Sequence, residues 1–231
     1  MPSITLCGLS IRVTRKPIKH LYLKVHPLDG RISLSAPDTM QWDELEQFVR
    51  CKLAWIQRHR DRIQAQSPPT HRQWQSGETH YFQGQAYELT LCPTAGKPSV
   101  TPTAHTLELH SPPHSTATQR QQILHGWYRH QLKLMIPPLL HHWQTRIGVT
   151  VNEWRIKQMK TRWGSCNIIA KRIWLNLELV KFSPACLEYV LVHELIHLLE
   201  PSHNARFYRL MDQFLPAWRD RKAELEAHWY C

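Results

Sequence analysis

The 231-residue chain has no long apolar run, no Cys-x-x-Cys pair, no glycine-rich phosphate loop and no legible internal repeat or low-complexity tract. Crossing a bilayer takes about 20 predominantly apolar residues. The most apolar stretch, "CLEYVLVHELIHLL", is interrupted by Glu188, His193, Glu194 and His197, so a membrane role would need a partner. The amino terminus, "MPSITLCGLSIRVTRKP", lacks the apolar segment and cleavage site of a secretory leader. The six cysteines (Cys7, Cys51, Cys92, Cys166, Cys186, Cys231) are scattered, which argues against a disulfide framework and for reduced thiols in a cytoplasmic protein. Acidic residues are also scarce, 18 against 29 Lys and Arg, and the net charge of +11 favours anionic partners such as nucleic acid or nucleotides. Charge of that kind says nothing about fold or chemistry.

The length allows one large domain or two small ones, with a real core in either case. "LYLKVHPLDGRISLSAP" reads as a hairpin: Leu21, Leu23 and Val25 alternate, Asp29-Gly30 is a turn pair, and Ile32 and Leu34 alternate back. A helix follows in "DTMQWDELEQFVRCKLAWIQRHRDRI", where Leu45, Phe48, Val49, Leu53 and Ile56 recur at helical spacing. "THYFQGQAYELTLCP" and "HTLELHSP" read as further strands. The turn residues of Ser111–Thr118 mark a boundary, giving a β-rich N-terminal region with one long helix (residues 1–115) and a second domain (116–231). Beyond it, "QRQQILHGWYRHQLKLMIPPLLHHWQTRIG" is helical, with Pro137-Pro138 expected to kink or break it. "EWRIKQMKTRWGSC" and "KRIWLNLELV" are strand-like.

The decisive element is "SPACLEYVLVHELIHLLEPSH". Ser183 is placed to cap a helix, Pro184 suits its first position, and Pro201 stops it, so the helix is read without reference to its histidines. On that helix His193 and His197 lie one turn apart on one face, about 5–6 Å between β-carbons, and both can reach one ion. Glu194 sits about 100° around the axis, where a carboxylate can hold a metal-bound water without binding the metal. The surrounding residues are apolar, so three ionisable groups gathered there by chance would carry a desolvation cost.

A catalytic zinc takes three protein ligands and keeps an open position. The Pro201-Ser202 break lets the chain return His203 toward the pair, with Ser202 capping the following helix; His203 is the third candidate, and Glu200, one turn beyond His197, competes with it. With zinc bound, water becomes acidic enough to ionise near pH 7 and Glu194 can pass its proton to a leaving group, which makes hydrolysis the natural reaction class. His125, His130, His141 and His142 read as a polar helix face.

Through "KTRWGSC", Asn176 of an "LN" strand, "VHELIH" and the His203-x-x-x-Phe207 spacing, the chain resembles the YgjP-like family of zinc metallopeptidases, related to SprT-like and Wss-type proteases. The N-terminal half resembles it more loosely, through "LYLKVHPLDGRISLSAP" and "FVRCKLAWIQRH". The resemblance implies an α+β fold: a zincin-like core with an active-site helix and a small antiparallel sheet, preceded by the β-rich region. It also implies zinc on His193, His197 and His203, Glu194 as general base, and a strand carrying "TRWGSC" beside the cleft. An edge strand can accept an extended peptide by strand addition, which makes Trp163, Gly164 and Ser165 substrate-facing candidates. The competing reading of this strand is structural: Gly164 for a bend, Trp163 and Cys166 for packing. Arg162 is either a stabiliser of negative charge or a solvated cation.

The expected function is thus a cytoplasmic zinc-dependent metallopeptidase acting on peptide or protein. Two rivals stand beside it. The same zinc site could hydrolyse a nucleotide phosphoanhydride, though no phosphate loop supports this. Alternatively the zinc is structural, with Cys166 as a fourth ligand, in a nucleic-acid-associated module.

Overall fold

The computed structural model describes residues 3–26, 30–65 and 73–227. Alternating apolar residues open the chain with a hairpin of β1 (Ser3–Leu6) and β2 (Leu9–Lys16), joined by Cys7-Gly8. Both loop residues have positive φ, 49° and 76°, the left-handed pair that a two-residue hairpin turn demands. The expected second hairpin is present as β3 (Tyr22–Val25) and β4 (Ile32–Pro37); Asp29 of its turn pair lies outside the described residues. β2 runs parallel to β4, giving the sheet order β1-β2-β4-β3. Ile11, Val25, Ile32 and Leu34 share a buried cluster with Leu45, Val49 and Ile56 of helix α1 (Trp42–Ala65).

The chain forms two compact units, divided between His71 and Arg72. The second begins with β5 (Thr79–Phe82), β6 (Gln85–Pro93), β7 (Ser99–Pro102) and β8 (Thr106–Ser111) in the order β5-β6-β8-β7. That is the plan of the first sheet over again: antiparallel, parallel and antiparallel pairs in the same sequence, with a long helix following. Even the first turn recurs, Gln83-Gly84 having φ of 51° and 83°. The repeat invisible in the residues is therefore present in the topology, because alternation and turn geometry specify the strands without requiring the same side chains.

Helix α2 (Ala117–Ile147) starts at a capping box between Thr116 and Gln119 and runs unbroken through Pro137 and Pro138, contrary to the expected break. The prolines lie on the exposed face, as do Lys133 and Leu134, whose carbonyls lose their helical donors and are left to solvent. The opposite stripe, Leu124, Tyr128, Leu132, Ile136, Leu140 and Trp143, is buried in one cluster with Leu107 and Leu109 of β8. The Tyr128 hydroxyl donates to the Tyr81 carbonyl at 2.8 Å. Ser111–Thr118 is accordingly a connection inside the second unit, and the division of the chain falls at His71/Arg72 instead.

The α+β class is as expected, but the site sheet is mixed. β10 (Gly164–Asn167) pairs antiparallel with β11 (Arg172–Asn176), which pairs parallel with β9 (Glu153–Lys157), in the order β10-β11-β9. "EWRIKQMKTRWGSC" splits into β9 and β10 because the intervening loop carries the chain past β11. "LELV" is not strand but part of a 3-10 turn, Leu177–Lys181, capped by the Asn176 side chain. Three helices finish the unit: α3 (Pro184–Ile196), α4 (Ala205–Phe214) and α5 (Trp218–Ala227). Among the described residues no helix is long and apolar enough to cross a membrane.

Candidate metal centre

α3 is almost wholly apolar, and its Leu187, Val190, Leu191, Leu195 and Ile196 are buried. Ser183 stands at its N-cap position without capping it; its hydroxyl meets Cys186 Sγ at 3.5 Å. The helix ends at Ile196, earlier than Pro201, yet His197 keeps helical dihedrals and its N–H still reaches the His193 carbonyl, 3.3 Å away. The one-turn relation of His193 and His197 survives, with ring centroids 4.9 Å apart.

After Pro201 the chain turns back, and Asn204, not Ser202, caps α4 by accepting from the Phe207 N–H at 3.1 Å. The turn brings His203 Nε2 to 3.0 Å from His193 Nε2. One ring nitrogen from each of His193, His197 and His203 lies within 4.8 Å of the others. Phe207 is the packing element the residue pattern did not single out as part of the site: fully buried, its ring sits 4.9, 4.8 and 4.7 Å from the three imidazoles. The His203-x-x-x-Phe207 spacing was its only signal.

The donors suit a divalent ion. Burial, and then neighbouring His197, His203 and Lys222, push His193 down to about 3, and burial also lowers His197 and His203, so neutral imidazoles present lone pairs. Nδ1 of His197 is 3.1 Å from the Glu200 carbonyl oxygen, which only accepts; Nδ1 therefore carries the proton and Nε2 is free to coordinate. Tetrahedral zinc with Zn–N of about 2.0–2.1 Å sets its ligand nitrogens about 3.3 Å apart, a spacing this trio can adopt with small side-chain rotations.

Glu194 shares the cleft with the trio. Only 5% exposed, it is pushed up to about 8 by burial, partly offset by Arg162. Gly164 at the start of β10 faces it so closely that a β-carbon there would stand 2.8 Å from Glu194 Cγ and 2.9 Å from Cδ, and closer still to Oε1. The cleft, about 580 Å³, is lined by the three histidines, Glu194, Arg162 and the run Trp163-Gly164-Ser165-Cys166. Among the described residues β10 has a neighbouring strand on one side only, so the sheet presents an edge strand there.

Residues 19–228, nearly the whole chain, match the YgjP-like, metallopeptidase domain family. The chain belongs to the YgjP-like family. It is a metallopeptidase-type hydrolase by that membership. No curated protein matches it. Among solved structures it is similar to the metallopeptidase zymogen of Pyrococcus abyssi abylysin: 21% identity, 39% of this chain, 90% of that one, TM-score 0.37. It is likewise similar to the zymogen of Methanocaldococcus jannaschii jannalysin: 22% identity, 39% and 93% coverage, TM-score 0.35.

Several residues of this YgjP-like domain take roles the sequence left open. Glu200 does not join the trio; its carboxylate accepts from Ser202 N–H and pairs with Arg206 at 3.5 Å. Cys166 lines the cleft but stands outside the trio, its thiol pushed up to about 11 by burial and then by Glu194. Trp163 packs edge-on against Phe182 at 5.0 Å. Asn176, 1% exposed, donates to the carbonyls of Met159 and Arg162 and accepts from Met159 N–H, and so holds the loop leading into β10. His130, His141 and His142 are exposed on α2, and His125 packs against Trp74 at 5.5 Å.

Proposed function

We propose that the chain is a zinc-dependent metallopeptidase in which His193, His197 and His203 hold the ion and Glu194 is the general base. The observation that carries this reading is the convergence of three ring nitrogens within 4.8 Å beside a buried carboxylate in one open cleft. Zinc held there supplies Lewis acidity, lowering the pKa of water and polarising a carbonyl.

The rest of the chemistry belongs to the chain. Glu194 takes a proton from the attacking water and returns it to the leaving nitrogen. A carboxyl poised near neutrality serves both steps, since Brønsted behaviour favours a group whose pKa lies near the working pH. Arg162 keeps its carboxylate form accessible despite burial. The absence of a β-carbon at Gly164 leaves room for the carboxylate beside β10. An extended peptide adds to the free edge of β10, with Trp163, Gly164 and Ser165 as its contacts and main-chain hydrogen bonds as its register.

The test is to incubate the zinc-loaded chain with an unstructured peptide library and, separately, with nucleoside triphosphates. Zinc-dependent cleavage of peptides alone supports the proposal. Release of pyrophosphate with intact peptides overturns it in favour of phosphoanhydride hydrolysis, and binding of zinc with neither reaction removes the enzyme reading.

A further inference from the structure

The outer face of the β5–β8 sheet carries a second group of metal-type donors, which shares no residue with the histidine trio. Along β8, Leu107 and Leu109 are fully buried, and the alternation leaves Glu108 and His110 on the opposite, half-exposed face. Cys92 of β6 is the register partner of His110. Parallel pairing thus sets Cys92 beside His110 at the strand spacing of about 4.8 Å, with Glu108 two residues along on the same face. Cys92 Sγ, a Glu108 carboxylate oxygen and a His110 ring nitrogen all lie within 4.8 Å of one another. His110 Nε2 is 3.6 Å from Glu108 Oε2, and Cys92 is a free thiol.

We propose that Cys92, Glu108 and His110 form a second site for a divalent transition cation of the zinc class. The donor set selects the ion. Magnesium and calcium take oxygen ligands, whereas a thiolate, an imidazole and a carboxylate together suit zinc and its neighbours. Tetrahedral bond lengths of about 2.0–2.3 Å place ligand atoms about 3.3–3.8 Å apart, which small side-chain rotations reach from the observed spacing. Their side chains are 32% (His110) and 39% (Glu108) exposed, so the ion enters from solvent and a water completes the fourth position. On binding, the Cys92 thiol gives its proton to solvent and the sulfur–metal bond forms; no redox partner is involved. The ion ties β6 to β8, the two inner strands of the sheet.

Cobalt(II) distinguishes the two sites, because the histidine trio contains no thiolate. The full chain, stripped with a chelator and titrated with cobalt(II), is expected to bind two equivalents and to show a thiolate-to-cobalt charge-transfer band in the near ultraviolet. Cys92→Ser loses that band and one equivalent. Glu108→Gln, a near-isosteric change on the half-exposed face, weakens the same equivalent at least tenfold. A His193→Ala/His197→Ala double variant loses the other equivalent and keeps the band, so failure of the peptidase site is read separately. Cys166→Ala keeps the band, and circular dichroism confirms that each variant is folded. The absence of a band in the wild-type chain, or a band that survives Cys92→Ser or disappears in Cys166→Ala, overturns the proposal; a single equivalent that carries the band and is lost in Cys92→Ser supports it and counts against the histidine site alone.

Discussion

Gly164 and Glu194 occupy adjoining space so tightly that any side chain at position 164 would press on the carboxylate: the nearest carbon, Cγ of Glu194, is 2.8 Å from where a β-carbon would stand. Gly164→Ala is therefore a probe of Glu194 that leaves every candidate metal donor untouched. The overpacking is expected to cost about 1–3 kcal/mol of stability. A misplacement of about 1 Å in a catalytic group costs about a hundredfold in rate. Peptidase assays beside zinc analysis check this: kcat/KM should fall to about a hundredth with zinc content unchanged. A variant as active as wild type would show that Glu194 does not need its observed position.

Glu194→Gln keeps the shape and removes the base, so zinc binding should persist while turnover falls by about 10²–10⁴. In the metal-free protein the same substitution has a pH signature. The folded pKa of Glu194, about 8, lies above its ordinary 4.5, so the folded state holds a proton that the unfolded state has released. That stabilisation is complete below about 4.5 and is lost as pH rises toward 8. Gln has no such loss. Denaturant melts of the two stripped proteins should diverge in favour of Gln across that interval, by on the order of a few kcal/mol at most. His193, lowered to about 3, contributes the opposite slope below about 6.5, but it is common to both proteins and cancels in the difference. A constant gap from pH 5 to 8 would mean that Glu194 ionises freely in the fold.

Much of the second unit could be read from residues because its signals are local. Pro184 and the apolar run announce α3, and helical spacing alone pairs His193 with His197. What escaped is what only packing reveals. Pro137 and Pro138 look like breakers until the face they occupy is known to be solvent-exposed, where freed carbonyls find water. Ser202 and Asn204 are both good caps, and the choice of Asn204 depends on the turn that swings His203 onto His193. Gly164 read as either a substrate-facing position or a bend, since nothing in "RWGSC" says that a glutamate thirty residues on will fill the space of its missing side chain. The repeated sheet plan was hidden for a related reason: topology is carried by alternation and turns, which many sequences satisfy.

His203 comes from outside the helix that supplies the other two imidazoles, yet its Nε2 is 3.0 Å from that of His193. Removing partners that merely orient a ligand weakens metal affinity about 10–100-fold, so removal of a ligand should exceed that. His203→Ala is expected to lower zinc affinity by more than about a hundredfold in competition with a chromogenic chelator. Zinc at a hundred times its Kd should raise wild-type stability by about 2.7 kcal/mol, and at the same concentration this gain should fall below about 0.4 kcal/mol in the variant. Unchanged affinity would transfer the third position to another group.

Asn176 offers the sharpest separation of positioning from chemistry. Its side chain hydrogen-bonds to neither the imidazoles nor Glu194, but it donates to the carbonyls of Met159 and Arg162 at 2.9 and 2.8 Å and accepts from Met159 N–H at 3.2 Å. Asn176→Ala strands these groups and the capped N–H of Glu178, at a cost of about 2–4 kcal/mol. The loop from Met159 to Arg162 leads directly into β10, so its loosening should blur the strand edge on which the peptide is proposed to lie. Zinc affinity should stay at the wild-type level, since none of His193, His197 and His203 belongs to this loop. KM for extended peptides should rise more than kcat falls, because edge hydrogen bonds bind substrate along its length whereas Glu194 acts only at the scissile bond. Equal loss in zinc affinity and KM would instead mean that Asn176 supports the whole unit and that the cleft edge has no separate part in binding.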